Sequence, residues 1–218
     1  MTAAEVHSSG QMFARSFHLA GCVESSLLLR HHLTHNDWNL RNRFVRRFFV
    51  LKIIDYNGKG FWSVDEVLRR YKEYAHQFGI ETPRDLRPLV HSTDRGTWIY
   101  PVMDRVIEGI EQGDLACAQL GVEFIETSES FAFGMIIKSN VARALRRVTL
   151  TEAQKERIRK RVVEMLMTGY LPREFRQYAK LVRKIGIREW LPLIKEQAEL
   201  GDPWVQRYYS YFEEYAAH

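Results

Sequence analysis

The sequence predicts an all-α protein, with an N-terminal helical region followed by three antiparallel helical hairpins; an irregular helical bundle is the alternative arrangement. Three observations lead there. Apolar residues recur at three- and four-residue intervals along most of the chain. Helix starts and stops are spelled out by cap residues and glycines. One plausible extended segment, Thr97-Trp98-Ile99-Tyr100, is closed by Pro101.

Residues 1–12 are small and polar and read as a loose terminus, followed by a helical region over 13–112 and a hairpin region over 113–218. Phe17, Leu19, Val23, Leu27 and Leu28 suit a partly buried helix from Ala14 to His32. Phe44, Val45, Phe48, Leu51 and Ile54 suit a second, from Leu40 to Ile54. Ser63-Val64-Asp65-Glu66 fits a capping box, with Val67, Leu68, Tyr71, Tyr74 and Phe78 following at helical spacing up to Gly79. Thr82-Pro83 starts a short helix over Pro83–Val90, with Pro88 inside it.

From Gly113 the starts become regular. Asp114 opens Leu115–Glu126, Thr151 with Gln154 opens Glu152–Met167, and Ile187 opens a helix reaching Leu200. These openings lie 37 and 36 residues apart, and each helix has a partner, over 131–147, 172–185 and 203–216. Gly169, Gly186 and Gly201-Asp202-Pro203 mark the breaks. In element length and spacing, residues 113–216 resemble HEAT or armadillo-type helical repeats. The resemblance implies a stack of hairpins whose equivalent helices lie side by side.

Charge is distributed unevenly along this half. Lys138 to Arg188 holds fifteen Lys or Arg against four Glu, a net +11, although the whole chain is only +5. Residues 92–137 sum to −6 and residues 189–218 to −4. Arg143, Arg146 and Arg147 lead into Arg157, Lys160 and Arg161 on one helix; Arg173, Arg176, Lys180, Arg183 and Lys184 follow on the next. The spacing of Arg173, Arg176, Lys180 and Arg183 draws a stripe along one face. The expected partner is an acidic protein surface or nucleic acid, met without sequence preference. The opposing expectation is a solvated face paired with the acidic flanks.

Two metal candidates follow from spacing. Asp55 to Glu66 is similar to an EF-hand calcium loop, with Asp55, Asn57, Lys59, Ser63 and Glu66 at the side-chain ligand positions and Gly60 at the sharp turn. Lys59 places a positive charge where the resemblance implies an oxygen ligand. A helix–turn–helix joint explains the same glycines. His18 with Cys22, and His31 with His35, are spaced i, i+4 and could offer a tetrahedral zinc set.

The expected function is a non-enzymatic binding or scaffold protein that needs no cofactor. The alternative is a DNA-binding transcriptional regulator with a winged-helix-like N-terminal half: Pro83–Val90 would be the reading helix, with Arg84 and Arg87, and Trp98–Tyr100 a wing strand. No glycine-rich phosphate loop or nucleophile elbow occurs, and Asp94, Asp104, Glu108 and Glu111 are spread like a solvated helix face. The expected compartment is cytoplasmic: Cys22 and Cys117 are the two cysteines, the N-terminus has no signal-like pattern, and no apolar run approaches a membrane span.

Overall fold

A computed structural model describes residues 52–128 and 133–216. The helix expected from Ala14 to His32, most of the one expected over Leu40–Ile54, and His18, Cys22, His31 and His35 lie outside those residues. Among the described residues the chain is mostly helical, and no helix is long and apolar enough to cross a membrane.

The all-α expectation needs one correction, a three-stranded sheet. By Lys52 the chain is strand: β1 (Lys52–Asp55) replaces the end of the expected Leu40–Ile54 helix. β2 (Val90–Thr93) and β3 (Gly96–Ile99) form a hairpin around Asp94-Arg95, and β3 is the expected extended segment. The sheet order is β1-β3-β2, with β3 parallel to β1 and antiparallel to β2. Gly96 is required at the junction, because a Cβ there would lie 2.4 Å from the Lys52 carbonyl oxygen. Four-residue strands are too short for a period of two to outweigh helical spacing, which is why β1 and β2 escape a periodicity reading.

The short helix over Pro83–Val90 is the second correction. Residues 83–89 carry no regular structure. The backbone N–H of Arg84 donates to the Tyr71 hydroxyl (2.8 Å), and that of Arg87 donates to Asp85 Oδ1 (3.0 Å). Asp85 therefore takes the Arg87 amide that a helix from Pro83 would give to the Pro83 carbonyl, while the Arg84 amide, without an intrahelical acceptor in such a helix, fixes the segment to α1. The Arg87 guanidinium also grips Asp85 and holds its carboxyl down at about 2. Arg84 turns to Gln112.

The helices are α1 (Val64–Gln77), α2 (Val102–Glu111), α3 (Leu115–Glu126), α4 (Gly134–Leu145), α5 (Glu152–Met167), α6 (Phe175–Ile185), α7 (Leu191–Gln197) and α8 (Pro203–Ala216). Asp114 caps α3 through Cys117 N–H (3.0 Å), and Thr151 with Gln154 forms the reciprocal box on α5. Ser63 starts α1 without a side-chain cap bond, and Glu66 pairs with Arg69 instead (2.6 Å). Gly169 and Gly186 take left-handed φ of 67° and 86° at the ends of the α5 and α6 segments, as their role as breaks requires. Packing links alternate helices as well as consecutive ones: α3 lies against α1 and α5, α5 against α7, α4 against α2 and α6, and α6 against α8. The core runs through these contacts from Trp62 and Val67 to Val205 and Phe212.

Candidate anion-binding groove

The basic block divides according to what each cation touches. Arg147 pairs with Glu111 of α2 (2.8 Å). Arg157 grips Glu126 of α3 with two hydrogen bonds, at 2.8 and 2.5 Å. Arg161 pairs with Glu164 (3.2 Å) and Lys155 with Glu152 (2.7 Å). Lys138 is buried and donates to the Thr127 carbonyl (2.7 Å). Arg147 and Arg157 thus reach carboxylates of the acidic 92–137 segment, Arg161 and Lys155 pair within their own helix, and Lys138 serves a backbone carbonyl.

A second group closes helix ends. Lys184 donates to the Arg146 carbonyl at the end of α4. Arg159 is buried and donates to the carbonyls of Ile185 (2.7 Å) and Gly186 (2.8 Å) at the end of α6. Arg188 donates to the carbonyl of Ala216, the last residue of α8 (2.7 Å from Nε). A cation on the terminal carbonyls also opposes the negative end of the helix dipole. Three helices thus receive the same device, each from a residue outside the helix it closes.

What remains is the stripe that begins just before α6 and runs along it. Arg173, Arg176 and Lys180 line a groove of about 760 Å³ whose other wall is α8, with Trp204, Arg207, Tyr208 and Tyr211. None of these four cations is in an ion pair among the described residues. Asp202 is the one acid lining the groove, and its Oδ1 accepts from the backbone N–H groups of Trp204 (2.7 Å) and Val205 (3.2 Å). Arg183 lies farther along the same face of α6, with its guanidinium 4.5 Å from the Tyr215 ring centroid. Trp204 is 59% exposed, and the Arg207 guanidinium sits 5.6 Å from its ring. The Tyr211 hydroxyl is buried without a hydrogen bond among the described residues, and burial pushes its phenol up.

Of the residues picked out by sequence, Arg173, Arg176 and Lys180 converge on this groove and Arg183 extends it. Arg147, Arg157 and Arg161 are held by carboxylates, and Lys184 is used on a carbonyl. Arg143 bonds Asn140 (3.1 Å), and Lys160 is exposed on α5. The aromatic wall was missed. Its signal was available, because Trp204, Arg207, Tyr208, Tyr211 and Tyr215 fall at i, i+3, i+4, i+7 and i+11, one face of a helix.

In the calcium-like loop, a strand precedes Asp55 where that resemblance implies a helix. Asp55 Oδ1 accepts from Asn57, whose side chain ties the loop to Tyr100 O (3.1 Å) and Val102 N (2.6 Å). Glu66 is engaged by Arg69, and no cluster of three metal-ligating His, Cys, Asp or Glu occurs among the described residues. A second cavity, of about 880 Å³, lies between the β2–β3 hairpin and α4, lined by Tyr56, Trp98, Tyr100, Asp94 and Asp104 among others. With two acids against the single cation Arg95, it has the opposite character to the α6–α8 groove. No protein-family model matches the chain, and no curated protein or solved structure does so either.

Proposed function

We propose that this is a non-enzymatic binding or scaffold protein that holds an acidic partner in the groove between α6 and α8. The supporting observation is the convergence of Arg173, Arg176, Lys180 and Arg207 on one concave surface, where Asp202 is the single carboxylate and pairs with none of them among the described residues. Four like charges on one concave surface repel one another and raise the local potential, and an anionic occupant relieves that repulsion. The contacts between alternate helices support the finer reading of residues 113–216 as a stack of three hairpins, in which α6 and α8 are equivalent helices lying side by side.

Charge reversal tests the proposal. Arg176→Glu combined with Lys180→Glu changes exposed or half-exposed side chains and leaves the core intact. The expected outcome is loss of binding to a heparin column or a labelled polyglutamate at about 50 mM salt, with an unchanged thermal midpoint. Retention equal to that of the parent protein would remove the groove from consideration.

A further inference from the structure

We infer that the occupant of the α6–α8 groove is single-stranded nucleic acid. The inference rests on the groove reading above and adds the chemistry of the partner. Two walls of different character face each other. α6 supplies cations: Arg176, Lys180 and Arg183 extend over about 10 Å of helix axis at 1.5 Å per residue. α8 supplies aromatic side chains: exposed Trp204 and half-buried Tyr208 and Tyr211 cover about the same length of its own axis.

A row of cations beside a row of aromatic rings is what an unpaired strand uses, with phosphates on the first and bases stacked on the second. Trp204 decides between occupants. It is a large apolar side chain left mostly in water beside the guanidinium of Arg207, and an acidic peptide would need the cations but not this ring. A duplex keeps its bases stacked inside and would leave the aromatic wall equally unused. Arg173, Arg176 and Arg207 in the groove strengthen the case, since a guanidinium pairs with phosphate through two donors and stacks on rings, whereas lysine acts as a point charge. Phosphate contacts and ring stacking carry no base-edge information, so binding through them is sequence-tolerant.

The experiment uses the full chain and three labelled probes: an oligo(dT) or oligo(U) of about twelve nucleotides, a duplex of the same length, and a glutamate-rich peptide. The strand is expected to bind, quench tryptophan fluorescence, and lose affinity with a log–log salt slope of about −2 to −3 for three or four phosphates neutralised. Trp204→Ala should weaken strand binding by about tenfold to a hundredfold while leaving peptide binding within twofold, and Trp204→Phe should restore most of the loss. Arg176→Glu should weaken both. If the peptide binds in an Arg176-dependent way and the strand does not, the nucleic-acid inference is overturned and the groove reading stands. If the strand binds but ignores both Trp204→Ala and Arg176→Glu, it binds elsewhere and both fall. Binding of none of the probes at low salt also overturns both.

Discussion

Arg70 of α1 and Glu123 of α3 form an ion pair at 2.6 Å inside the fold, 53 residues apart in sequence. Arg70 is 3% exposed, donates its other terminal nitrogen to the Phe61 carbonyl (2.6 Å), and lies 3.6 Å from the Phe61 ring centroid. Glu123 also accepts from the Tyr74 hydroxyl and from Gln119 (3.3 Å), and Gln119 accepts from Gln154 of α5 (3.2 Å). A polar chain therefore runs from the turn before α1, through α3, to the start of α5.

Breaking the pair on one side should be costly. Arg70→Ala leaves the Glu123 carboxylate half-buried without its cation, and the expected loss is about 3–5 kcal/mol in urea unfolding. The double change Arg70→Met with Glu123→Leu should recover most of it, because an apolar pair does not carry the desolvation cost. A double variant no more stable than Arg70→Ala would show that the pair is not what the site depends on.

Asp114 does two tasks with its two oxygens. Oδ1 caps α3, and Oδ2 accepts from the Tyr71 hydroxyl (2.8 Å), which itself accepts from Arg84. Asp114→Ala is expected to reach the upper end of the N-cap range, about 2 kcal/mol, while Thr151→Ala at the start of α5 should cost about 1 kcal/mol. Chemical denaturation of the two variants side by side checks the order.

Gly109 lets α2 pack closely against α3. A Cβ at Gly109 would lie 2.3 Å from Cys117 Sγ and 2.9 Å from its Cβ. Gly109→Ala should destabilise by about 1–3 kcal/mol through overpacking. Adding Cys117→Ala removes the nearer atom and should return part of that loss, a coupling that a thermal-melt cycle can measure.

Stability should fall on the alkaline side. Burial, reinforced by the hydrogen bond to Glu123, pushes the Tyr74 phenol up to about 12, and burial raises Tyr71, Tyr178 and the Cys117 thiol too. These groups hold their protons more tightly when folded, so at alkaline pH the unfolded chain carries fewer protons than the folded one. For Tyr74 the stabilisation is complete below its ordinary value of 10.0 and is lost as pH rises through about 12. Urea midpoints at pH 9 and about 11 should differ, and Tyr74→Phe should reduce the difference.

The helical half was legible because its signals are local. Asp114, Thr151 with Gln154, Gly169 and Gly186 act within a turn of themselves, and each appears where its chemistry requires. Local signals failed where distant partners intervened. Thr82-Pro83 reads as a helix start, but the Tyr71 hydroxyl of α1 holds the Arg84 amide and Asp85 takes the Arg87 amide that a helix would need. Ser63 and Glu66 read as a capping box until Arg69 takes the glutamate. The candidate site was half legible for the same reason. The α6 stripe is a matter of spacing along one helix. Whether a given arginine meets water, a carboxylate or a carbonyl depends on which helix docks beside it, and a charge count carries none of that. Arg157 and Arg176 both belong to the basic block, yet one is held by Glu126 and the other lines the groove.

The cations that close α4, α6 and α8 bear on how the molecule comes apart. Lys184 of α6 finishes α4, Arg159 of α5 finishes α6, and Arg188, just before α7, finishes α8. The last turn of each of these helices is complete only once a neighbour has docked, so it gains little from forming alone. Amide exchange in those three terminal turns should accordingly slow together and be released together, tying the C-terminal helices into a single cooperative unit rather than a row of independently fraying hairpins.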